Sequence, residues 1–121
     1  MKFAKWVFRV SGVYGILVLI PYYFLETNPL VNAAPAITHP EYYYGFVGLG
    51  LSFQVLFLII AADPLKYRLA MIPSLLEKIS FGGAVFALYF AQRVPPQLVL
   101  AGILDLFMAV LFAAAYLRLK P

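Results

Sequence analysis

Four runs of about twenty mostly apolar residues crowd into a chain of 121, at about 3–25, 42–62, 73–92 and 97–117. A helix needs about 20 such residues to cross the hydrocarbon core of a bilayer. The chain is 64% hydrophobic and only 12% charged, whereas a soluble domain carries about 25% charged residues. Polar groups are too few to cover the apolar surface, and a bilayer is the natural solvent. The pattern predicts an all-α fold: an integral membrane, antiparallel four-helix bundle forming one domain over residues 1–121.

The breaks between the runs carry their own chemistry. "ETNPLVNAAPAITHPEYYY" (26–44) is rich in Pro, Asn and Thr and reads as a loop. "RVPP" (93–96) ends the third helix, because Pro95 and Pro96 cannot continue it. Asp63–Pro64 has the form of a helix start, with a side-chain acceptor followed by Pro at the first helical position. A short surface helix is expected there, with Leu65, Leu69 and Ile72 on its apolar side, before Pro73 restarts the chain into the third span. The basic, apolar N-terminus resembles a secretory leader, but its apolar run is too long and the best cleavage candidate, "NAAPA" at 32–36, lies well beyond it. The segment is therefore read as a retained span.

Cytoplasmic loops collect Lys and Arg. Lys2, Lys5, Arg9, Lys66, Arg68, Lys78, Arg118 and Lys120 fall on one side of this layout and Arg93 alone on the other, eight of the nine basic residues against one. Both termini are expected in the cytoplasm. The aromatic residues agree: Tyr22, Tyr23 and Tyr42 to Tyr44 gather at one level, and Trp6, Tyr67 and Tyr116 at the other, where amphipathic rings favour the interface. The same scatter of basic residues, flanking apolar segments rather than forming a stripe, argues against nucleic acid as a partner.

Charge inside the spans is the sharpest signal. Glu77 lies about 6 Å and Arg9 about 9 Å inside the inner boundary by helical rise. Both Glu77 and Lys78 lean toward their helix N-terminus and can snorkel outward. Arg9, Asp63, Arg68, Glu77 and Lys78 are thus expected to form ion pairs at the cytoplasmic rim, with Arg9 or Arg68 facing Glu77. Asp105 lies about 12 Å from the outer boundary, too deep for so short a side chain to reach water. Tyr14 and Gln54 fall within about 6 Å of it in depth, so the three form a candidate central polar cluster. Such a cluster either contacts a ligand or proton or holds helices together by hydrogen bonds. Small residues at Ala101, Ala109 and Ala113, at Ser80, Gly83, Ala84, Ala87 and Ala91, and at Gly45, Gly48 and Ser52 are expected to line the helix contacts.

Familiar catalytic chemistry has no foothold. Without cysteine, disulfides, thiolate metal sites and a Cys nucleophile are excluded. The single histidine, His39, cannot supply a bis-His haem or a zinc triad. No phosphate-binding glycine loop, G-x-S-x-G or H-E-x-x-H occurs. Neither a cofactor nor a metal is expected.

"RVSGVYGILVLIP" in the first span, the outer loop, "HPEYYYGFVGLG" opening the second span, a short basic inner loop and two further helices together resemble the small four-span bacterial membrane proteins of the DoxX-like type, and "ADPLKYR…EK" is similar to a signature of a narrower family of no assigned activity. The resemblance implies a bacterial cytoplasmic membrane. Some members are linked to respiratory or thiol redox systems, and a chain with no cysteine lacks the groups for the latter. Two functions are expected: a non-catalytic accessory or assembly subunit with a membrane-protein partner or a second copy of itself, or a module that binds or moves a small lipophilic ligand such as a quinone through Asp105 and Gln54.

Overall fold

The computed structural model describes residues 1–25 and 38–119, and every regular element among them is helical. The "NAAPA" stretch at 32–36, the rejected cleavage candidate, and Lys120 lie outside the described residues. Four long helices are present: α1 (Lys2–Leu19), α2 (Pro40–Ala62), α3 (Met71–Phe90) and α4 (Gln97–Arg118). Each, with the short turns that extend α1 and α3, is long and apolar enough to cross a membrane. Their surfaces agree with a lipid solvent. Leu17, Phe24, Leu49, Phe90, Leu100, Val110 and Leu117 are all exposed, far more apolar area than a water-soluble monomer leaves uncovered.

Helix ends follow from local chemistry. Pro21 has no N–H to continue the α1 ladder, and the helix tightens into a 3₁₀ turn over Ile20–Phe24. The Tyr43 hydroxyl donates to the Tyr22 carbonyl at 2.6 Å, satisfying an acceptor in that turn. At the end of α3, Gln92 adopts a left-handed φ of 59°. Arg93 N–H then donates to Leu88 O at 2.8 Å and Gln92 N–H to Tyr89 O at 2.9 Å. This pair of bonds is the Schellman arrangement, which satisfies the last carbonyls before the prolines turn the chain. The expected surface helix after Asp63 is only a turn. Asp63 Oδ1 does accept the Lys66 N–H at 3.3 Å, but the chain gives one 3₁₀ turn at Arg68–Ala70 and enters α3 at Met71. Pro73 sits in the first turn of α3, where no intrahelical donor is required.

The helices associate as two pairs. α1 packs along α2 and α3 along α4, while contacts between the pairs are far sparser. Glycines permit the close approach within each pair. A Cβ on Gly82 would lie 2.6 Å from Leu106 Cγ, and one on Gly102 would lie 3.0 Å from Val85 Cγ1. A Cβ on Gly12 would meet Leu58 at 2.8 Å. The pairs meet mainly toward the end that carries the termini and the 63–70 turn. There Phe8, Phe57 and Phe112 are fully buried among Ala4, Ile60, Ala61, Met71, Ala115 and Leu119. Phe8 stacks on Phe112 with centroids 4.2 Å apart, and Phe57 meets Phe112 edge-on at 5.0 Å.

Two of the small-residue strips face the other way from expectation. Ser80, Gly83, Ala84, Ala87 and Ala91 are all exposed, as are Gly45 and Ser52. The inward stripe of α3 is Ser74, Lys78, Gly82 and Val85 instead. On α4, Ala109 is buried as expected, and Gly102 rather than Ala101 completes the contact.

Candidate functional site

The contact between α3 and α4 brings three charged side chains together, Lys78 from the inward stripe of α3, Glu77 from its margin and Asp105 from α4. Lys78 is 5% exposed. Its Nζ lies 3.7 Å from Glu77 Oε2 and 3.8 Å from Asp105 Oδ1, and 5.2 Å from the centre of the Phe57 ring. Lys78 and Gly82 are one turn apart on α3, as Gly102 and Asp105 nearly are on α4. Because the glycines hold the helices close, the Lys78 stem crosses to the carboxylate of Asp105. The separations exceed hydrogen-bonding distance, so the cluster is held by Coulomb attraction in a low-dielectric setting. Glu77 Oε2 is buried and has no hydrogen-bond partner.

This arrangement corrects several expectations. Lys78 does not snorkel to the rim, since its position on the inward stripe directs it between the helices. Asp105 pairs with Lys78, and no hydrogen bond or ion pair among the described residues joins it to Gln54 or Tyr14. Tyr14 is 42% exposed and belongs to the outer face of α1. Gln54 is buried, but it turns toward α1: its Nε2 donates to Gly50 O at 3.0 Å, and its Oε1 fills the space that a Gly15 side chain would occupy. That oxygen has no conventional donor and rests on the glycine backbone, the setting of a weak Cα–H···O contact.

Glu77 pairs with neither Arg9 nor Arg68. Arg68 donates from Nη2 and Nε to Tyr116 O at 2.9 and 3.1 Å and lies 3.8 Å from the Tyr116 ring centre. Tyr116 O is one of the carbonyls that α4 leaves without an intrahelical donor, and the guanidinium meets the negative end of the helix dipole there. Arg9 is exposed, and neither it nor Asp63 joins an ion pair among the described residues.

An open groove on the surface, about 530 Å³ in volume, runs between α2 and α3. Phe46, Leu49, Gly50 and Phe53 form one wall, and Pro73, Leu76, Glu77, Ser80 and Phe81 the other. It exists because α2 and α3 belong to different pairs and touch only sparsely. Glu77 is thus a member of the buried cluster and also, among the described residues, the one charged group of the groove lining. Sequence reasoning missed the groove and the inward Lys78; the spacing of Ser74, Lys78 and Gly82 by four was the available signal. No group of described His, Asp and Glu residues has the grouping of a metal site. Comparisons with protein families, curated proteins and solved structures find no match.

Proposed function

We propose that the chain is a non-catalytic integral membrane protein, with four antiparallel spans and cytoplasmic termini, that binds a small lipophilic molecule in the α2–α3 groove. The observation that carries this reading is the position of Glu77, which lines an apolar groove while bound to a buried lysine. Pockets for small molecules are mostly apolar with a few placed polar groups, and an ionisable residue within a span is a functional candidate. With all three groups ionised, Glu77, Lys78 and Asp105 carry one net negative charge. The complement is a donor head group, such as the hydroxyl of a quinol, with its tail against Phe46, Leu49 and Phe53. Glu77 and Lys78 take the role that Asp105 and Gln54 had in the sequence.

Purification from native membranes followed by small-molecule mass spectrometry tests the reading. A lipophile of defined mass is expected with the wild type, and roughly tenfold less with Glu77→Leu, since the lost hydrogen bond is to a charged acceptor. Recovery of bulk phospholipid alone from both proteins refutes it. The second reading, an accessory subunit, is favoured by the exposed strip of Ser80, Ala84, Ala87 and Ala91 on α3, a composition suited to close approach by another helix. It predicts a second membrane protein copurifying in fixed ratio. The DoxX-like resemblance is compatible with either.

A further inference from the structure

The face of α1 away from the bundle carries Lys2 and Arg9, with Lys5 at its edge. At 100° per residue these three and Trp6 fall within an arc of about 100°. Lys2, Trp6 and Arg9 are exposed, Trp6 by 63%, and Lys5 is half-buried. The described carboxylates are engaged elsewhere: Glu41 with His39 at 3.1 Å, Asp63 with the Lys66 N–H, and Glu77 and Asp105 with Lys78. Arg9 lies about 10 Å along the helix from Lys2, inside a segment apolar enough to cross a bilayer. An arginine at that level without an anion is costly. A helical side chain leans back toward its N-terminus, so the Arg9 guanidinium is carried toward the level of Lys5 and Lys2, the end of the span at which a lipid head group would lie.

Beyond the basic residues the same face turns apolar, with Val13 and Leu17 exposed by 46% and 69%. A cationic patch that continues into an apolar lane matches a phospholipid, phosphate at one end and acyl chain along the other. A soluble acidic protein would leave the lane uncovered.

We propose that Lys2, Lys5 and Arg9, with Trp6 beside them, form a binding site for the phosphodiester head group of an anionic membrane phospholipid. Arg9 supplies the planar fork that matches two phosphate oxygens, and Lys2 and Lys5 supply charge. Val13 and Leu17 carry the first part of an acyl chain. The site is independent of the α2–α3 groove and of which way the bundle is oriented.

Native mass spectrometry of the full chain in neutral detergent, with added phosphatidylglycerol or phosphatidylcholine, tests this. Phosphatidylglycerol is expected to be retained at least roughly tenfold better, weakening as salt rises, in line with the contribution of each basic residue near a membrane surface. Lys2→Gln/Lys5→Gln/Arg9→Gln is expected to remove that preference. Arg9→Lys, which keeps the charge and loses the fork, is expected to give an intermediate value. The salt dependence of the wild type serves as a measurement that needs no variant. Equal retention of the two lipids overturns the proposal. So does a preference untouched by the triple variant, or full displacement of phosphatidylglycerol by millimolar inorganic phosphate, which would mean a small-anion site.

Discussion

Lys78→Met removes the cation on which the α3–α4 contact turns while keeping most of the side-chain volume. At 3.7 and 3.8 Å and an effective dielectric constant of about 20, each carboxylate attracts the ammonium by about 4 kcal/mol. Desolvation of the three groups consumes most of that sum, so the cluster adds little net stability as a unit. Its removal by halves is a different matter. Without Lys78, Glu77 and Asp105 face each other with no counter-charge, and breaking a buried pair in this way costs about 3–5 kcal/mol. Asp105→Asn leaves Lys78 with Glu77 and is expected to cost less, about 1–3 kcal/mol, as for loss of one buried partner. The assay is reversible unfolding in mixed detergent, with both single variants and the double variant forming a cycle. The double variant is expected to fall at least about 1 kcal/mol short of the sum of the singles, because the residues share one interaction. A Lys78→Met protein within about 0.5 kcal/mol of wild type, the range of an ordinary surface substitution, would refute the reasoning.

Two further outcomes follow from the packing and the charge layout. Gly15→Ala, whose methyl group collides with the Gln54 amide, is expected to lose about 1–3 kcal/mol as an overpacked contact, while Gly83→Ala, with open space around its Cα, is expected to leave unfolding in the same detergent unchanged. Reporter fusions after residue 35 and at the C-terminus are expected to report opposite sides of the membrane from the eight-to-one distribution of basic residues; matching signals would overturn the orientation.

Helix existence and length were legible because they depend on quantities that a sequence carries directly. Apolar runs of about 20 residues mark spans, and Pro64, Pro95 and Pro96 mark the breaks, whereas the tightening at Pro21 inside the first run went unread. Rotation about each axis was not legible. In water, polarity tells which face is inside. In these helices both the exposed side and the packed side are apolar, so Gly82 and Gly83 look alike in sequence although one is buried and the other open. Small size permits close packing without saying where it happens. Depth counting placed Asp105, Gln54 and Tyr14 at similar levels, but contact also requires shared azimuth. Gln54 faces Gly15, Asp105 faces Lys78, and Tyr14 faces outward. Lys78 was assigned to the rim because long basic side chains usually reach outward; its place on the Ser74–Gly82 stripe outweighed that tendency. The partner of Arg68 is hidden in the sequence for another reason. Its acceptor is a backbone carbonyl 48 residues away, and only the fold reveals which carbonyls a helix end leaves open.

The aromatic clasp of Phe8, Phe57 and Phe112 turns the two helix pairs into a lever. The wall of the groove that belongs to α2 extends from Phe53 to Phe46, one to three turns beyond the fulcrum at Phe57. Phe46 is about 16 Å from it by helical rise, so a 5° tilt at the clasp, worked from that rise, displaces Phe46 by about 1.4 Å. Bilayer thickness acts on helix tilt. For helices that span a bilayer, the width of the groove would then depend on the thickness of the membrane around the protein as well as on its side chains, with the long arm of the lever amplifying the response.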